Sequence, residues 1–280
     1  MTLDCRGRPL DLSSPVVMGI LNVTTDSFSD GGELLRAGVL DLDALLRRGE
    51  AMVAAGAAVL DVGAESTRPG AIPVPEALEG ERVVTAVEAL CRHFDVPVSV
   101  DTSAPGVMTA AVEAGAGLIN DVRALRRPGA LAAAAASGVP VCLMHMQGEP
   151  GTMQEDPHYG DVVREVVAFL EARISAAVGA GIARERLLVD PGFGFGKTLA
   201  HNLELLRQLA ALRGLALPIL VGLSRKRMLG ELTGRPVEQR IASGVAAAVI
   251  AAERGASIVR THDVAATVDA LRILAAVQAY

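Results

Sequence analysis

Polar and charged side chains punctuate this chain at the ends of short apolar runs, and their types point to a small anionic, heterocyclic ligand. In chain order they are Asn22, Asp61, Asp101, Asn120 with Asp121, His145, Asp190, Lys226 in Ser224-Arg225-Lys226, Arg260 and His262. Asp101, Asn120, Asp190 and Lys226 form one set. Carboxylates and an amide beside a single cation suit a flat heterocycle carrying several N–H donors and a carbonyl. Such a floor discriminates strongly, because an analogue lacking those donors leaves buried acceptors unsatisfied. Asn22, Arg68, Arg260 and His262 form a second set. Two guanidinium groups and an imidazole suit phosphate oxygens, which Arg can grip bidentately. The Asn22 carbonyl is a hard oxygen ligand that can help hold a Mg²⁺ otherwise bound by substrate phosphates and water. Single positions admit blander explanations: Asp101 as a helix cap, Asp190 as the partner of Lys226, and His93, His145 and His201 as core or surface residues. A polar group at the end of every run is harder to ascribe to packing. No HExxH, CxxC or His-x-His occurs, so a protein-built zinc site is unsupported.

The element that positions these groups is clearest in Leu187–Lys197, Leu-Leu-Val-Asp-Pro-Gly-Phe-Gly-Phe-Gly-Lys. Its first three residues predict a strand buried on both faces, and Pro191 forbids further ladder pairing. Gly192, Gly194 and Gly196 then give a loop able to take positive φ. Leu199, Leu203, Leu206 and Leu209 follow at helical spacing. Spacing excludes two phosphate-binding loops. A P-loop would need a glycine where Pro191 stands, and a dinucleotide fingerprint would need one at Lys197. Asp190, an ionised group abutting a core strand, demands a partner.

The same strand–loop–helix unit recurs along the chain. Apolar runs fall at Val16–Leu21, Val59–Leu60, Val98–Val100, Leu118–Ile119, Val139–Met144, Leu187–Val189, Ile219–Val221 and Ile258–Val259. Helical patterns lie between them. Ala104–Ala114 has Ser103 as its expected N-cap, Ala132–Ala136 is an alanine tract within a helix, and Val163, Val166, Leu170 and Ile174 mark another. Val264, Val268, Leu271 and Leu274 mark the last. Eight alternations in 280 residues predict a single α/β domain, a (β/α)₈ TIM barrel over 1–280, in preference to a doubly wound open sheet. Residues 1–13, with Arg6-Gly7-Arg8-Pro9, fit a short N-terminal β-hairpin. In such a barrel every polar strand end gathers on one rim. The loops Thr24–Gly32 and Ala64–Pro73 are long and rich in turn residues, suited to act as lids or as plain connectors.

Composition narrows the partners. Acidic residues outnumber basic ones, 32 against 26, and aromatics are 2% of the chain, which together argue against nucleic acid. Cys5, Cys91 and Cys142 form no CxxC and leave an odd one over, as expected in a reducing cytoplasm. No apolar leader opens the sequence, and Ile241–Ala252 is too short to span a membrane.

The motifs resemble one family closely. Gly19–Gly32 (Gly-Ile-Leu-Asn-Val-Thr-Thr-Asp-Ser-Phe-Ser-Asp-Gly-Gly), Asp61–Gly70 (Asp-Val-Gly-Ala-Glu-Ser-Thr-Arg-Pro-Gly) and Ser-Val-Asp-Thr at 99–102 look like dihydropteroate synthase. So do Ile-Asn-Asp-Val at 119–122, Met-His-Met-Gln-Gly at 144–148, 190–197, 222–226 and Arg-Thr-His-Asp-Val at 260–264. The resemblance implies condensation of a dihydropterin pyrophosphate with p-aminobenzoate, giving dihydropteroate and pyrophosphate with Mg²⁺ as cofactor, and a sulfonamide target. It implies pterin contacts at Asp101, Asn120, Met144, Asp190, Gly222 and Lys226, and a pyrophosphate site at Asn22, Arg68, Arg260 and His262, with Asn22 on the metal. It further implies an aminobenzoate pocket from Thr67, Arg68, Pro69, Phe195 and Ser224, and catalytic roles for Asp101, Asp190, Lys226, Arg260 and His262. The family usually has Pro where Thr25 stands, which removes a φ restraint but no ligand-contacting group. A homodimer is also implied. Two alternatives are a pterin-dependent methyltransferase, which would not require the phosphate clusters, and a non-catalytic pterin binder, which could dispense with the leaving-group site.

Overall fold

A computed structural model describes residues 1–23, 34–36, 38–63 and 76–279. The chain opens with β1 (Thr2–Cys5) and β2 (Arg8–Asp11), the antiparallel hairpin expected from the sequence. Next come β3 (Val16–Asn22), the small antiparallel pair β4 (Leu35–Arg36) and β5 (Val39–Leu40), and α1 (Leu42–Ala54). The alternation continues with β6 (Val59–Gly63), α2 (Glu76–His93), β7 (Val98–Asp101), α3 (Pro105–Glu113), β8 (Leu118–Asp121) and α4 (Ala130–Ser137). It then runs through β9 (Val141–Met144), α5 (Val162–Gly179), β10 (Leu187–Asp190), α6 (Leu199–Arg207) and β11 (Ile219–Gly222). The final elements are α7 (Arg227–Thr233), α8 (Ile241–Glu253), β12 (Ala256–Thr261) and α9 (Val264–Gln278). Parallel strands close in the order β10-β11-β12-β3-β6-β7-β8-β9, the barrel the sequence predicts, and an open doubly wound sheet is excluded. No helix among the described residues is long and apolar enough to cross a membrane.

Strand parity divides the core in two. Residues of one parity, such as Val17, Val62, Val100, Ile119, Leu143, Val189, Val221 and Val259, join the layer between barrel and helices. Those of the other parity, Met18, Val59, Leu118, Cys142, Leu188, Leu220 and Ile258, fill the barrel interior. Leu3, Cys5 and Leu10 of the hairpin join that interior cluster, so the hairpin plugs the end of the barrel opposite the rim. Arg8 holds it there, donating to the Cys91 carbonyl at 2.7 Å and the Val96 carbonyl at 3.2 Å beyond α2. All three cysteines are free thiols, Cys5 and Cys142 buried and Cys91 half-buried.

Several local expectations are corrected. Ser103 does not cap α3. The cap position is Ala104, whose N–H is taken by Thr102 Oγ1 at 3.1 Å, while the Ser103 hydroxyl donates to the buried Asp121 carboxylate. The run Val139–Met144 yields a strand only from Val141, because Pro140 has no N–H for the ladder. In α6 the buried residues are Asn202, Leu205 and Leu206, and Leu203 is 38% exposed. That rotation turns Asn202 toward the glycine loop, where its Oδ1 accepts from Gly194 N at 2.7 Å. Asp61 and Arg260 lie within β6 and β12 rather than after them.

The hairpin's seat leaves no room for a side chain at Gly117, where a Cβ would come within 2.5 Å of the Cys5 carbonyl oxygen. Gly117→Ala should therefore cost about 1–3 kcal/mol of stability, as overpacked sites do. A urea midpoint equal to that of the parent chain would show that the hairpin does not bear on this point.

Candidate active site

The interior parity continues upward into the polar layer. Val59 leads to Asp61, Ser99 to Asp101, Leu118 to Asn120, Cys142 to Met144, Leu188 to Asp190, Leu220 to Gly222 and Ile258 to Arg260. The ladders set Asp101 opposite Asn120, Met144 opposite Asp190 and Gly222 opposite Arg260. Two residues along these strands, the interior layer thus gives way to a rim that carries Asp61, Asp101, Asn120, Asp190 and Arg260. Asn120, Met144 and Asp190 are buried. Gly222 leaves the space beside Arg260 open, since a Cβ there would meet nothing within 4 Å.

Arg260 is the centre of this rim. Its Nε donates to Asp61 Oδ2 at 2.6 Å and its Nη2 to Asp101 Oδ2 at 2.8 Å. Asp61 is fully buried, and its Oδ1 has no hydrogen-bond partner among the described residues. These carboxylates hold the guanidinium proton more tightly than usual, outweighing the opposing effect of burial. Asn22 ends β3 opposite Gly63, and a Cβ at Gly63 would lie 3.0 Å from Asn22 Oδ1 and 4.0 Å from Arg260 Nη2. The amide oxygen and the guanidinium thus share one corner. The structure therefore joins the two residue sets that the sequence separates, with Arg260 touching both.

Asp190 lies across the mouth. Its Oδ1 accepts from Gly192 N at 2.7 Å, and burial pushes its carboxyl up to about 6 against the pull of that bond and of Lys226. Burial also draws the Lys226 ammonium down to about 8, opposed by Asp190. Lys226 Nζ sits 4.1 Å from the Phe195 ring centroid, a cation–π contact. Phe195 packs on an apolar wall of Val122, Met144, Met146 and Met153. Acceptors on one side and this wall on the other make a slot for a flat polar ring.

The glycine loop is folded hard against the end of β9. Gly192 has φ +67, and a Cβ there would fall 1.9 Å from the His145 carbonyl oxygen, so no other residue fits. The loop's carbonyls are taken by side chains from elsewhere: Gly194 by Gln154, and Gly196 by the Tyr159 hydroxyl at 2.8 Å. Those of Gly192 and Phe195 go to Lys197, whose ammonium is buried and also 2.9 Å from His145 Nδ1. Burial lowers Lys197 to about 7 and His145 to about 2, so the imidazole is neutral.

The third corner carries Ser224 and His262. Ser224 Oγ accepts from the His262 amide at 3.2 Å and stands 3.0 Å from His262 Nδ1. With the hydroxyl proton directed to Nδ1, the ring's other nitrogen carries its proton outward, ready to donate. Arg225 between Ser224 and Lys226 has φ +58, a conformation held by its ion pair with Asp263 at 2.8 Å and by Arg240, which donates to its carbonyl at 3.2 Å.

Among the sequence-predicted residues, Asn22, Asp101, Asn120, Met144, Asp190, Phe195, Gly222, Ser224, Lys226, Arg260 and His262 all lie at or just beyond the same ends of the barrel strands. Thr25, Thr67, Arg68, Pro69 and the whole of both long loops, 24–32 and 64–73, lie outside the described residues. His93 is exposed on α2, and His201 completes the N-terminal cap of α6. Asp61 and Lys197 were missing from the predicted set. Asp61 carried a signal, its inward parity with Val59, whereas nothing in the sequence shows that Lys197 folds back beneath its own loop. Among the described residues no three His, Cys, Asp or Glu side chains gather to hold a metal. A Mg²⁺ at the Asn22 corner would then take most ligands from substrate and water, which the hard amide oxygen fits.

Known proteins share this sequence and this fold. The sequence profile of the pterin binding enzymes matches residues 18–262. The dihydropteroate synthase of Escherichia coli K12 is 51% identical over 276 residues, 99% of this chain and 96% of that protein. A Yersinia pestis dihydropteroate synthase solved with a sulfonamide drug complex superposes with a TM-score of 0.97 at 54% identity, covering 100% of both chains. One from Xanthomonas albilineans, in complex with 7,8-dihydropteroate, gives a TM-score of 0.89 at 53% identity and again covers 100% of both chains. This chain belongs to the pterin binding enzymes, in the dihydropteroate synthase family.

Proposed function

We propose that this rim condenses 6-hydroxymethyl-7,8-dihydropterin pyrophosphate with p-aminobenzoate, releasing 7,8-dihydropteroate and pyrophosphate. The observation that carries the reading is the convergence of Asp101, Asn120, Asp190 and Lys226 at the C-terminal ends of their barrel strands, with Arg260 between them and the Asn22 corner. Asp101, Asn120 and Asp190 supply acceptors for the pterin's ring N–H groups, and Lys226 a donor for its carbonyl. The heterocycle lies against Met144 in the space left open at Gly222. Its pyrophosphate extends toward Asn22, Arg260 and His262.

The C–O bond at the pterin methylene breaks first, its electron pair leaving with the pyrophosphate. Arg260 and the His262 N–H stabilise the charge that develops there. Asp101 and Asp190 stabilise the complementary cation on the ring. The aniline nitrogen, already unprotonated near neutral pH, then attacks the methylene carbon and releases a proton, so no activated Ser or Cys is needed. Phe195 and Ser224, together with Thr67, Arg68 and Pro69, form the aminobenzoate pocket in this reading. A Mg²⁺ held by Asn22 and the substrate oxygens would neutralise charge on the leaving group. The reading also takes the protein to be a cytoplasmic homodimer. Three free thiols support a reducing compartment, and the exposed Ile273 and Val277 of α9 offer apolar surface to a second copy.

Three outcomes test it. Purified protein supplied with both substrates and Mg²⁺ should form dihydropteroate, and EDTA should abolish the product. Pterin binding by calorimetry without product would move the assignment to a non-catalytic pterin binder. Pterin affinity should be greatest near pH 7, between the Asp190 and Lys226 titrations at about 6 and about 8. It should weaken below, as Asp190 gains a proton and ceases to accept, and above, as Lys226 loses its charge. Asp190→Asn should weaken binding and remove the acid limb; persistence of that limb would assign it to another group. Arg260→Ala should lower kcat by about 10²–10³. It should also destabilise the fold by about 3–5 kcal/mol, because the buried Asp61 carboxylate is left unpaired. Arg260→Met combined with Asp61→Asn should regain stability in urea but not turnover.

A further inference from the structure

Lys197 is a buried cation that the reaction outlined above does not use. Three N–H donors of an ammonium meet three acceptors here: Gly192 O at 2.8 Å, His145 Nδ1 at 2.9 Å and Phe195 O at 3.1 Å. The acceptors come from two different elements. Gly192 and Phe195 belong to the loop after β10, and His145 follows β9. His145 is itself fixed by packing, edge-on to Phe169 at 4.8 Å between ring centroids and 6.0 Å from Tyr159. The peptide carbonyl of Lys197 accepts from Asn202 Nδ2 at 3.3 Å, anchoring the other end of the residue in α6.

The loop so gripped bears one side chain aimed at the mouth of the site, Phe195, which lies over Lys226 and against the wall of Met144, Met146 and Met153. The other clasps on this loop, from Gln154 and Tyr159, take the Gly194 and Gly196 carbonyls on either side. Lys197 takes the Phe195 carbonyl, and the Phe195 N–H donates to the Gly192 carbonyl at 3.1 Å, itself gripped by Lys197, so the ammonium braces both bonded groups of this turn. We propose that Lys197 is a positioning residue for the second substrate: its ammonium clasps the Gly192 and Phe195 carbonyls to His145 and so fixes the Phe195 ring where p-aminobenzoate docks. The role rests on the assignment of Phe195 to the aminobenzoate pocket. A residue that acts through another has a distinct energetic signature, because its loss costs nothing further once the group it positions is gone.

The test is a double-mutant cycle in the full-length enzyme, reading KM for p-aminobenzoate and the Kd of the pterin substrate separately. Lys197→Met should raise KM for p-aminobenzoate about tenfold, the effect of losing a hydrogen-bonded charge, with a smaller change in pterin Kd. In a Phe195→Ala background the same substitution should leave KM as Phe195→Ala alone sets it. Additive effects, or a loss confined to pterin affinity, would overturn the proposal. A parental KM for Phe195→Ala alone would overturn the pocket assignment and this role with it, whereas a raised KM there and a parental KM for Lys197→Met would overturn the role of Lys197 only. If Lys197→Met does not fold, His145→Phe keeps the aromatic packing, removes the third acceptor and enters the same cycle with the same expected outcomes.

Discussion

A guanidinium caught between two carboxylates inside a barrel is the interaction on which this site depends. Asp61 lies on β6 with no exposure to solvent, where an unpaired charge is prohibitively costly, and Arg260 on β12 supplies its counter-charge. The two strands are not neighbours, since β3 separates them, so the ion pair spans the barrel's upper layer rather than lying along one ladder. Arg260 reaches on to Asp101 of β7 at the same time. One side chain thereby sets the relative positions of three strand ends. It also remains about a fifth exposed, so it still faces the mouth where charge must be stabilised. Rigidity and electrophilic character reside in the same group.

Several of the other groups at the rim are held in a similar way, by contacts from an element other than their own. Ser224 orients His262 from across the β11–β12 boundary, Asp263 holds the left-handed Arg225, and Asn202 and Tyr159 secure the glycine loop. Such cross-bracing is what a rim of short loops requires, because the strands beneath end at the point where precision is needed. Arg225 and Gly192, both at positive φ, flank the slot in which a planar ligand would lie.

Much of the barrel was legible because its two periodicities are written plainly. Apolar runs separated by helical stripes gave the strand count and order, and a polar residue after each run placed the site on one rim. What stayed hidden depends on direction rather than on type. Asp61 was visible as a strand-end acid, but only closure of the barrel brings it to Arg260, 199 residues away in sequence. The sequence sorted Arg260 with the phosphate-binding residues and Asp101 with the heterocycle. Their ion pair belongs to neither class and could not be inferred from composition. Ser103 has the right type and spacing for an N-cap, yet a buried carboxylate competes for its hydroxyl and wins. The four leucines at helical spacing gave the helix, with Leu206 and Leu209 buried as such a stripe suits, but nothing in their spacing showed that Asn202 would be buried to serve the glycine loop.

The N-terminal hairpin makes the barrel a dead end. Leu3, Cys5 and Leu10 close the far opening over an interior already filled by Met18, Val59, Leu118 and Leu188, so the described residues leave no second passage through the centre. Traffic must therefore use one doorway. A molecule lying on the acid layer is the deepest occupant, and anything seated at Phe195 stands between it and solvent. A molecule on the acid layer must therefore be seated before anything docks at Phe195.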